Sequence, residues 1–252
     1  MAGGAFKNKY WVARHGRSIP NEKGLIVSSL ANGVLPEYGL AAEGVLQAKA
    51  AAELFLKEIR KEGIPFEKVR IYLSPFSRTR QTAEAFTSLL NLPFDSPQIK
   101  VTEALRERYF GPRLELQSHD HYTEIWALDE RDPFAPPEGG ESVADVASRL
   151  STILAMTEAE CEGTTIDLKV YAAQQHLGGI PNTLAWFGYA ILLVAHGDPL
   201  QIFQTILHAT LDSHSCEKNG ILDANLGAVM SAPILSQHRK FSLFTGELRR
   251  VM

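Results

Sequence analysis

Residues 10–17 of the chain read Tyr10-Trp11-Val12-Ala13-Arg14-His15-Gly16-Arg17. The first four residues form an apolar run, which predicts a buried β-strand. The next four place an imidazole, a possible nucleophile, between arginine cations at the end of that strand. An imidazole beside fixed guanidinium groups suits chemistry on a phosphate group.

Two further segments follow the same plan. The run Ile191–Ala195 is apolar at every position, which is typical of a central parallel strand, and it leads into His196-Gly197-Asp198-Pro199. The run Val69–Leu73 predicts another strand, and the Ser74-Pro75 that follows predicts a helix N-cap with proline at the first helical position. Because the carboxyl ends of parallel strands open onto one edge of a sheet, we expect residues 14–15, 74–78 and 196 to converge.

Strand and helix patterns alternate along the chain. A short strand is predicted at Ile99–Val101, and helical spacing of apolar residues recurs from Val45 to Ile59, from Ala83 to Leu90 and from Val143 to Leu154. This alternation predicts an α/β fold, a three-layer α/β/α sandwich with a mostly parallel central sheet, formed by residues 1–252 as a single domain.

Other segments are expected to be loops or minor strands. Residues 20–39 and 118–140 are rich in turn-forming residues and predict loops. Ser142 and Asp145 have the spacing of a capping box. Late strands are expected near residues 228–230 and 241–244, and a helix is expected to begin at Asp198-Pro199 with an inward face that includes Ile202 and Phe203.

Composition excludes several classes of protein. The chain has 252 residues, 45% of them apolar, and a formal net charge of −4. Mixed charges without a basic stripe argue against nucleic acid and against an electrostatic membrane anchor, and no apolar stretch is long enough to span a bilayer. Cys161 and Cys216 are too few for a disulfide framework and are expected to be thiols in a reducing compartment. Without a recognisable leader, the expected location is the cytoplasm.

The convergent residues suggest roles in phosphoryl transfer. His15 is the candidate nucleophile. Arg14 and Arg78 carry planar guanidinium groups, each of which can donate hydrogen bonds to two phosphate oxygens. His196 and Asn21 are further donors, and Glu107 is the candidate proton donor to the leaving oxygen. Each residue taken alone also has a structural explanation: Arg78 on a solvated helix face, for example, or Glu107 in an exposed ion pair with its arginine neighbours.

Taken together, these motifs resemble the histidine phosphatase superfamily, which includes the cofactor-dependent phosphoglycerate mutases. The matching segments, in chain order, are Arg14-His15-Gly16 with Ser18 and Asn21, Gly39-Leu40, Glu43-Gly44, Gln47-Ala48, Ser74-Pro75-Phe76-Ser77-Arg78, Gln81-Thr82-Ala83, Leu105-Arg106-Glu107-Arg108-Tyr109-Phe110-Gly111, Gly139-Gly140-Glu141-Ser142 and His196-Gly197. The resemblance implies that His15 accepts the phosphoryl group, that Arg14, Asn21, Arg78 and His196 hold it, and that Glu107 donates the proton. It implies no metal and no cofactor.

Two features depart from this pattern. Arg17 stands where many relatives carry an acidic or amide residue, and it either contacts a second anionic group or, as we favour, faces solvent. The segment at 163–188 is longer than the family's usual connection. The sequence leaves three alternatives open for this insertion: a lid, a partner-binding extension or a poorly ordered segment. Of the remaining clusters, His119-Asp120-His121 lacks further metal ligands at suitable spacing, and His238-Arg239-Lys240 is expected to be a solvated basic face.

Three functions are compatible with these residues. The first is a phosphomonoesterase that acts through phosphohistidine on a small phosphorylated metabolite or a phosphoprotein. The second is a phosphoglycerate mutase, supported by Arg108-Tyr109-Phe110-Gly111 but opposed by the lack of an additional basic substrate-binding stretch. The third is a non-catalytic phosphate-recognition module. The identity of the substrate and the oligomeric state are not determined by the sequence.

Overall fold

The computed structural model describes residues 6–160, 188–214 and 230–252. In these residues a five-stranded sheet is formed by β1 (Lys9–Arg14), β2 (Val69–Leu73), β3 (Ile99–Val101), β4 (Ala190–Ala195) and β5 (Leu248–Arg250). The spatial order is β3-β2-β4-β1-β5. All pairs are parallel except β1 with β5. The predicted mostly parallel sheet is confirmed.

Helices cover both faces of this sheet. The described α-helices are α1 (Ile19–Lys23), α2 (Leu30–Gly33), α3 (Ala42–Lys61), α4 (Ser77–Leu89), α5 (Tyr122–Arg131), α6 (Val143–Glu160), α7 (Gly197–His214) and α8 (Ala232–Leu235). Successive side chains of a strand point to opposite faces. Trp11 accordingly packs against Phe55 of α3, with ring centroids 5.5 Å apart, and Tyr10 packs against Phe203 of α7 at 5.9 Å. The predicted three-layer architecture is confirmed.

The helical faces agree with the predicted apolar stripes, with two exceptions. Phe55, Ile59, Phe86 and Leu150 are buried as expected. Val45 and Leu89 were expected to face inward but are 41% exposed each. Val45 lies in the first turn of α3, and Leu89 is the last residue of α4.

Helix starts differ slightly from prediction. The helix after β2 begins at Ser77 rather than at Pro75. The Ser74 hydroxyl accepts a hydrogen bond from the Phe76 amide and contacts His196. The helix after β4 begins at Gly197, so Asp198 lies in its first turn. The capping box is confirmed, since Ser142 and Asp145 each accept a hydrogen bond from the other's backbone amide.

The two predicted loops contain helices. Residues 20–39 include most of α1 and all of α2, and residues 118–140 include α5. These helices are short, and α5 buries Ile125 with Phe110 and Leu114 in a small separate cluster. Their limited apolar surface explains why no helical period is visible in the sequence.

The expected strand near residues 241–244 is wrong. Residues His238–Phe241 form a 3-10 helix, and the backbone carbonyls of Phe241 and Ser242 accept hydrogen bonds from the Arg249 guanidinium instead of a neighbouring strand. The last strand is β5, which follows a turn at Gly246 with φ of 70°. The other late strand was expected near residues 228–230. Met230 lies in a turn, and residues 228–229 lie outside the described residues.

Some predictions fall outside the described residues. These include Cys161, Cys216 and the insertion at 163–188 apart from its last residue. Within the described residues, no helix is long and apolar enough to cross a bilayer.

Candidate active site

The ends of three parallel strands bring the predicted site residues together. The register pairs Arg14 of β1 with Ala195 of β4, and Leu73 of β2 with Val194 of β4. The residues that follow therefore meet at one edge of the sheet. The rings of His15 and His196 lie with centroids 5.2 Å apart. The predicted convergence is observed.

A cavity of about 370 Å³ opens at this edge. At its inner end it is lined by Arg14, His15, Asn21, Arg78 and Glu107. These are five of the six residues predicted for the site. The sixth, His196, is completely buried beside His15 and contributes to the site from behind the cavity wall.

His15 has its hydrogen-bonding roles fixed by its neighbours. Its Nδ1 lies 2.8 Å from the Gly16 carbonyl oxygen, which can only accept, so Nδ1 carries the proton. Its Nε2 accepts a hydrogen bond of 3.2 Å from Nε of Arg78. Burial lowers the pKa of His15 well below its usual value, and the charges of Arg78 and Arg14 lower it further. The ring is therefore neutral, with its lone pair on Nε2 at the cavity.

Two guanidinium groups lie near the His15 ring, Arg78 buried and Arg14 partly exposed. Arg78 donates through Nη2 to the Val27 carbonyl at 3.0 Å, and Arg14 donates through Nη1 to the Leu243 carbonyl at 2.7 Å. Nη1 of Arg78 and Nε of Arg14 are buried with no partner among the described residues. Buried cations with free donors favour a bound anion, because an unpaired buried charge is costly.

Glu107 is a buried carboxyl group, not an exposed ion pair. Its Oε1 accepts the Arg108 amide at 3.0 Å, and its Oε2 lies 3.8 Å from Nη2 of Arg78 and 3.7 Å from Nδ1 of His196. Burial raises the pKa of Glu107 to about 7, against the opposing charge of Arg78 and with a contribution from Asp198. Such a group exchanges a proton readily near neutral pH.

His196 is held by Ser74. Its Nε2 lies 2.8 Å from the Ser74 hydroxyl, and its Nδ1 is buried with no hydrogen-bond partner among the described residues. Burial lowers the pKa of His196 well below its usual value, and Arg78 lowers it further. The ring is therefore neutral in this environment. A phosphate dianion beside it would raise that pKa and favour the protonated donor.

Asn21 and Arg17 lie on either side of a short turn. The Asn21 carbonyl oxygen accepts hydrogen bonds from the backbone and the hydroxyl of Ser18, so its NH₂ group is left to face the cavity. Arg17 pairs with Glu43 at 3.2 Å, and its side chain is 43% exposed. It does not line the cavity.

The outer end of the cavity includes residues that the sequence did not reveal. Tyr122, Trp126, Gln201 and Arg239 line the part of the cavity that we call its outer end. The basic cluster at 238–240 was expected to be solvated, but His238 is completely buried, and Arg239 lies over the Trp126 ring at 3.7 Å. The apolar Tyr122-Ile125-Trp126 spacing is the one signal that points to this wall.

One cluster has the residue types of a metal site. Oxygen and nitrogen atoms of Asp129, Asp198 and His238 lie within 4.8 Å of one another. The guanidinium of Arg108 already occupies this cluster, with bonds of 2.7 and 2.8 Å to Asp129 and 3.3 Å to Asp198. A buried arginine supplies the positive charge there, and the residues do not fit a further cation.

Comparison with known proteins places these residues in a family. The model of the histidine phosphatase superfamily, branch 1, matches residues 10–172. The chain belongs to the histidine phosphatase superfamily. No curated protein matches it.

Solved structures share the superfamily fold with this chain. A mycobacterial glucosyl-3-phosphoglycerate phosphatase is 22% identical over 79% of this chain and 78% of its own, with a TM-score of 0.53. The alpha-ribazole phosphatase of Shigella flexneri is 20% identical over 95% and 88%, with a TM-score of 0.53. A protein from an open reading frame of Mycobacterium tuberculosis is 20% identical over 96% and 89%, with a TM-score of 0.54.

Proposed function

We propose that this histidine phosphatase superfamily member is a phosphomonoesterase that acts on a small phosphorylated metabolite through a phosphohistidine at His15. The observation that carries the proposal is the neutral His15 ring, which lines a cavity together with the incompletely hydrogen-bonded guanidinium groups of Arg14 and Arg78. A nucleophile and an anion-binding cradle thus share one wall. Family membership supports the same activity.

In the first step, Nε2 of His15 attacks phosphorus and the bond from phosphorus to the ester oxygen breaks. The electron pair of that bond leaves with the alcohol oxygen, and protonated Glu107 donates its proton to it. Arg14, Arg78 and Asn21 donate hydrogen bonds to the phosphoryl oxygens, which stabilises charge that would otherwise build up in a buried site. Oε2 of Glu107 lies 3.8 Å from Nη2 of Arg78, so a phosphoryl group bound by Arg78 would also be close to the acid.

In the second step, water attacks phosphorus and the phosphorus–nitrogen bond breaks. The Glu107 carboxylate accepts a proton from the water, and His15 regains the lone pair on Nε2. Inorganic phosphate is released, and Glu107 is again the acid. A pKa of about 7 suits this exchange, because both protonation states are populated near neutral pH.

Hydrolysis is favoured over mutase chemistry by the position of residues 108–111. Of these four residues only Phe110 lines the cavity. Arg108 is completely buried, and its guanidinium is engaged by Asp129 and Asp198. It therefore cannot bind a second anionic group of a phosphoglycerate, which removes the feature that supported a mutase.

The class of substrate follows from size and from the relatives. A cavity of about 370 Å³ accommodates a phosphate and a leaving group of modest size. The structural relatives named above include phosphatases of glucosyl-3-phosphoglycerate and of alpha-ribazole phosphate. The proposal assigns this chain a phosphorylated metabolite of comparable size.

Hydrolysis of p-nitrophenyl phosphate by His15→Ala tests the proposal. We expect the variant to lose activity by at least about 10³-fold, because the first step has no other nucleophile. His121→Ala is the matched control: His121 lies on the surface, pairs with Glu124 and does not line the cavity, so activity is expected to be unchanged.

Retention of activity in a folded His15→Ala protein would refute the covalent mechanism. If the intact protein binds inorganic phosphate but hydrolyses no monoester, the reading as a non-catalytic recognition module replaces the proposal. Faster interconversion of phosphoglycerates than phosphate release, in a coupled assay, would restore the mutase.

A further inference from the structure

The outer end of the cavity has an aromatic wall. Tyr122 and Trp126 lie one turn apart on α5, and their rings stack with centroids 5.8 Å apart and an interplanar angle of 8°. Both rings are partly exposed and both line the cavity. The Arg239 guanidinium lies over the Trp126 ring at 3.7 Å and fixes its orientation. Burial raises the pKa of Tyr122, and the charges of Glu107 and Asp198 raise it further, so the wall adjoins the inner end of the cavity.

A buried amide also borders the cavity. Gln201 is 9% exposed, and its Oε1 is buried with no hydrogen-bond partner among the described residues. It lies three residues after Asp198 on α7, so both side chains are on one face of that helix, and both line the cavity. An unsatisfied buried polar atom destabilises the protein, so this site favours a ligand that pairs with the amide. The two-step mechanism gives Gln201 no role.

The wall and the amide together restrict the leaving group. An aryl group without polar substituents satisfies the aromatic wall but leaves the amide unpaired. A linear polyol satisfies the amide but gives the rings no flat face to contact. A saturated or aromatic ring that carries hydroxyl groups meets both requirements, because it offers an apolar face and a hydrogen-bonding edge. A hydroxyl both donates and accepts, so it pairs with either end of an amide.

We propose that the alcohol released from the substrate is a hydroxylated ring, which packs against Trp126 and Tyr122 and hydrogen-bonds through a hydroxyl to the Gln201 amide. This inference rests on the phosphomonoesterase activity proposed above. Monosaccharide phosphates and nucleoside phosphates share this chemistry, and the experiment separates the two sources.

The test compares kcat/KM of the whole chain for a hexose monophosphate, a nucleoside 5′-monophosphate, phenyl phosphate and glycerol phosphate. We expect one of the two hydroxylated-ring esters to exceed both phenyl and glycerol phosphate. The preferred ester identifies the source of the ring. Gln201→Leu is expected to lower kcat/KM for that ester by about tenfold or more, because one buried hydrogen bond is lost. Its activity on phenyl phosphate is expected to stay within about twofold, which also shows that the variant is folded.

Two further variants complete the design. Gln201→Glu retains an acceptor and is expected to lose less activity on the ring ester than Gln201→Leu does. Trp126→Ala is expected to raise KM for the ring ester and to leave kcat/KM for glycerol phosphate nearly unchanged, because a linear polyol does not pack against the rings.

Equal losses on the ring ester and on phenyl phosphate in Gln201→Leu would show that Gln201 is structural and would overturn the inference. A preference of the intact protein for phenyl or glycerol phosphate would overturn it as well. Either result leaves the proposed hydrolysis intact. Failure of the proposed function has a different signature, since no ester would then be hydrolysed faster by the intact protein than by His15→Ala.

Discussion

The inner end of the cavity is built from the end of β1, from α1, from the start of α4 and from the loop that carries Glu107, whereas the outer end is built from α5, the start of α7 and the segment after α8. At the inner end His15, Arg78 and Arg14 each hydrogen-bond to a backbone carbonyl, at Gly16, Val27 and Leu243. At the outer end the contacts are between side chains, as in the Tyr122–Trp126 stack and the Arg239–Trp126 contact.

This difference separates two tasks. Backbone-anchored, buried groups hold the same geometry whatever the substrate, which suits the chemistry common to all phosphate esters. Side-chain contacts on short helices and loops are easily altered without disturbing the sheet. Substitutions at the inner end should therefore reduce activity on every substrate, and substitutions at the outer end should reduce it selectively.

Arg78→Ala should have the largest effect after loss of the nucleophile. It removes the donor to Nε2 of His15 and the fork that grips phosphate, so we expect kcat to fall by about 10²–10³-fold on all esters. Arg78→Lys should recover little, because an ammonium group lacks the planar fork. Arg80→Ala, an exposed position on the same helix, is the control and should match the intact protein in the same assay.

Glu107→Gln should discriminate between leaving groups. We expect kcat/KM to fall by about 10²-fold on alkyl phosphates, which need a proton on the leaving oxygen, and by much less on p-nitrophenyl phosphate, which does not. Exposed Glu103→Gln is the control. Equal losses on both esters would show that Glu107 is not the acid.

The pH profile of the intact protein gives a second reading of the same residue. The pKa of Glu107 is about 7, so the protonated acid is lost, and kcat/KM falls, as pH rises through that value. The pKa of His15 lies well below its usual value, so the acidic limb should appear well below pH 6.5. Glu107→Gln should remove the alkaline limb, measured as kcat/KM on an alkyl phosphate from pH 5 to 9.

Glu115→Ala should test how the inner end is supported. The Glu115 carboxylate accepts hydrogen bonds from the backbones and hydroxyls of Ser28 and Ser29 and from Asn32, at 2.7 to 2.9 Å. These residues follow Val27, whose carbonyl holds Arg78. We expect kcat to fall by about tenfold and the free energy of unfolding by about 2–3 kcal/mol, measured by assay and urea titration.

The same clamp predicts a dependence of stability on pH. Burial alone would raise the pKa of Glu115, but hydrogen bonds from Asn32, Ser29 and Ser28 hold it below its usual value. The contribution of Glu115 is therefore present above the unfolded pKa of about 4.3 and is lost as pH falls through the lower folded pKa. Glu84→Ala, at an exposed position, should show neither effect. A stability change that persists unchanged at pH 3 would contradict the clamp.

Arg239→Gln should have the smallest effect. It removes the cation over Trp126, an interaction of about 0.5–1 kcal/mol, so KM for the preferred ester should rise by about two- to fivefold with kcat unchanged. Exposed Lys240→Gln is the control. A large fall in kcat would show that Arg239 contributes to the chemical step, which would contradict the proposed division of tasks between the two ends of the cavity.

The sequence predicts the inner end because it is coded locally. Each residue of the sheet edge follows an apolar run whose end can be seen, as at Ala13 before Arg14 and at Ala195 before His196. Glu107 and Asn21 do not directly follow a predicted strand, and the family pattern supports their assignment to the site. The position of His196 behind the cavity wall depends on its contact with Ser74. The spacing of residues along the sequence does not reveal this contact.

The outer end depends on long-range packing and is not predictable in the same way. Helix α5 buries only Ile125 and Asp129, so its period is too weak to recognise. His238 was expected to be solvated but lies 3.9 Å from Asp129, in a network with Arg108 that no local pattern reveals. That network brings the neighbouring Arg239 onto Trp126.

The central claim is that the phosphoryl group passes through Nε2 of His15, and quenching a single turnover tests it most directly. The protein is mixed with a radiolabelled phosphate ester, quenched in alkali within milliseconds, digested and mapped. The account predicts an acid-labile, alkali-stable label on the peptide that contains His15. Label on another residue, or none while inorganic phosphate is released in a burst, would contradict it.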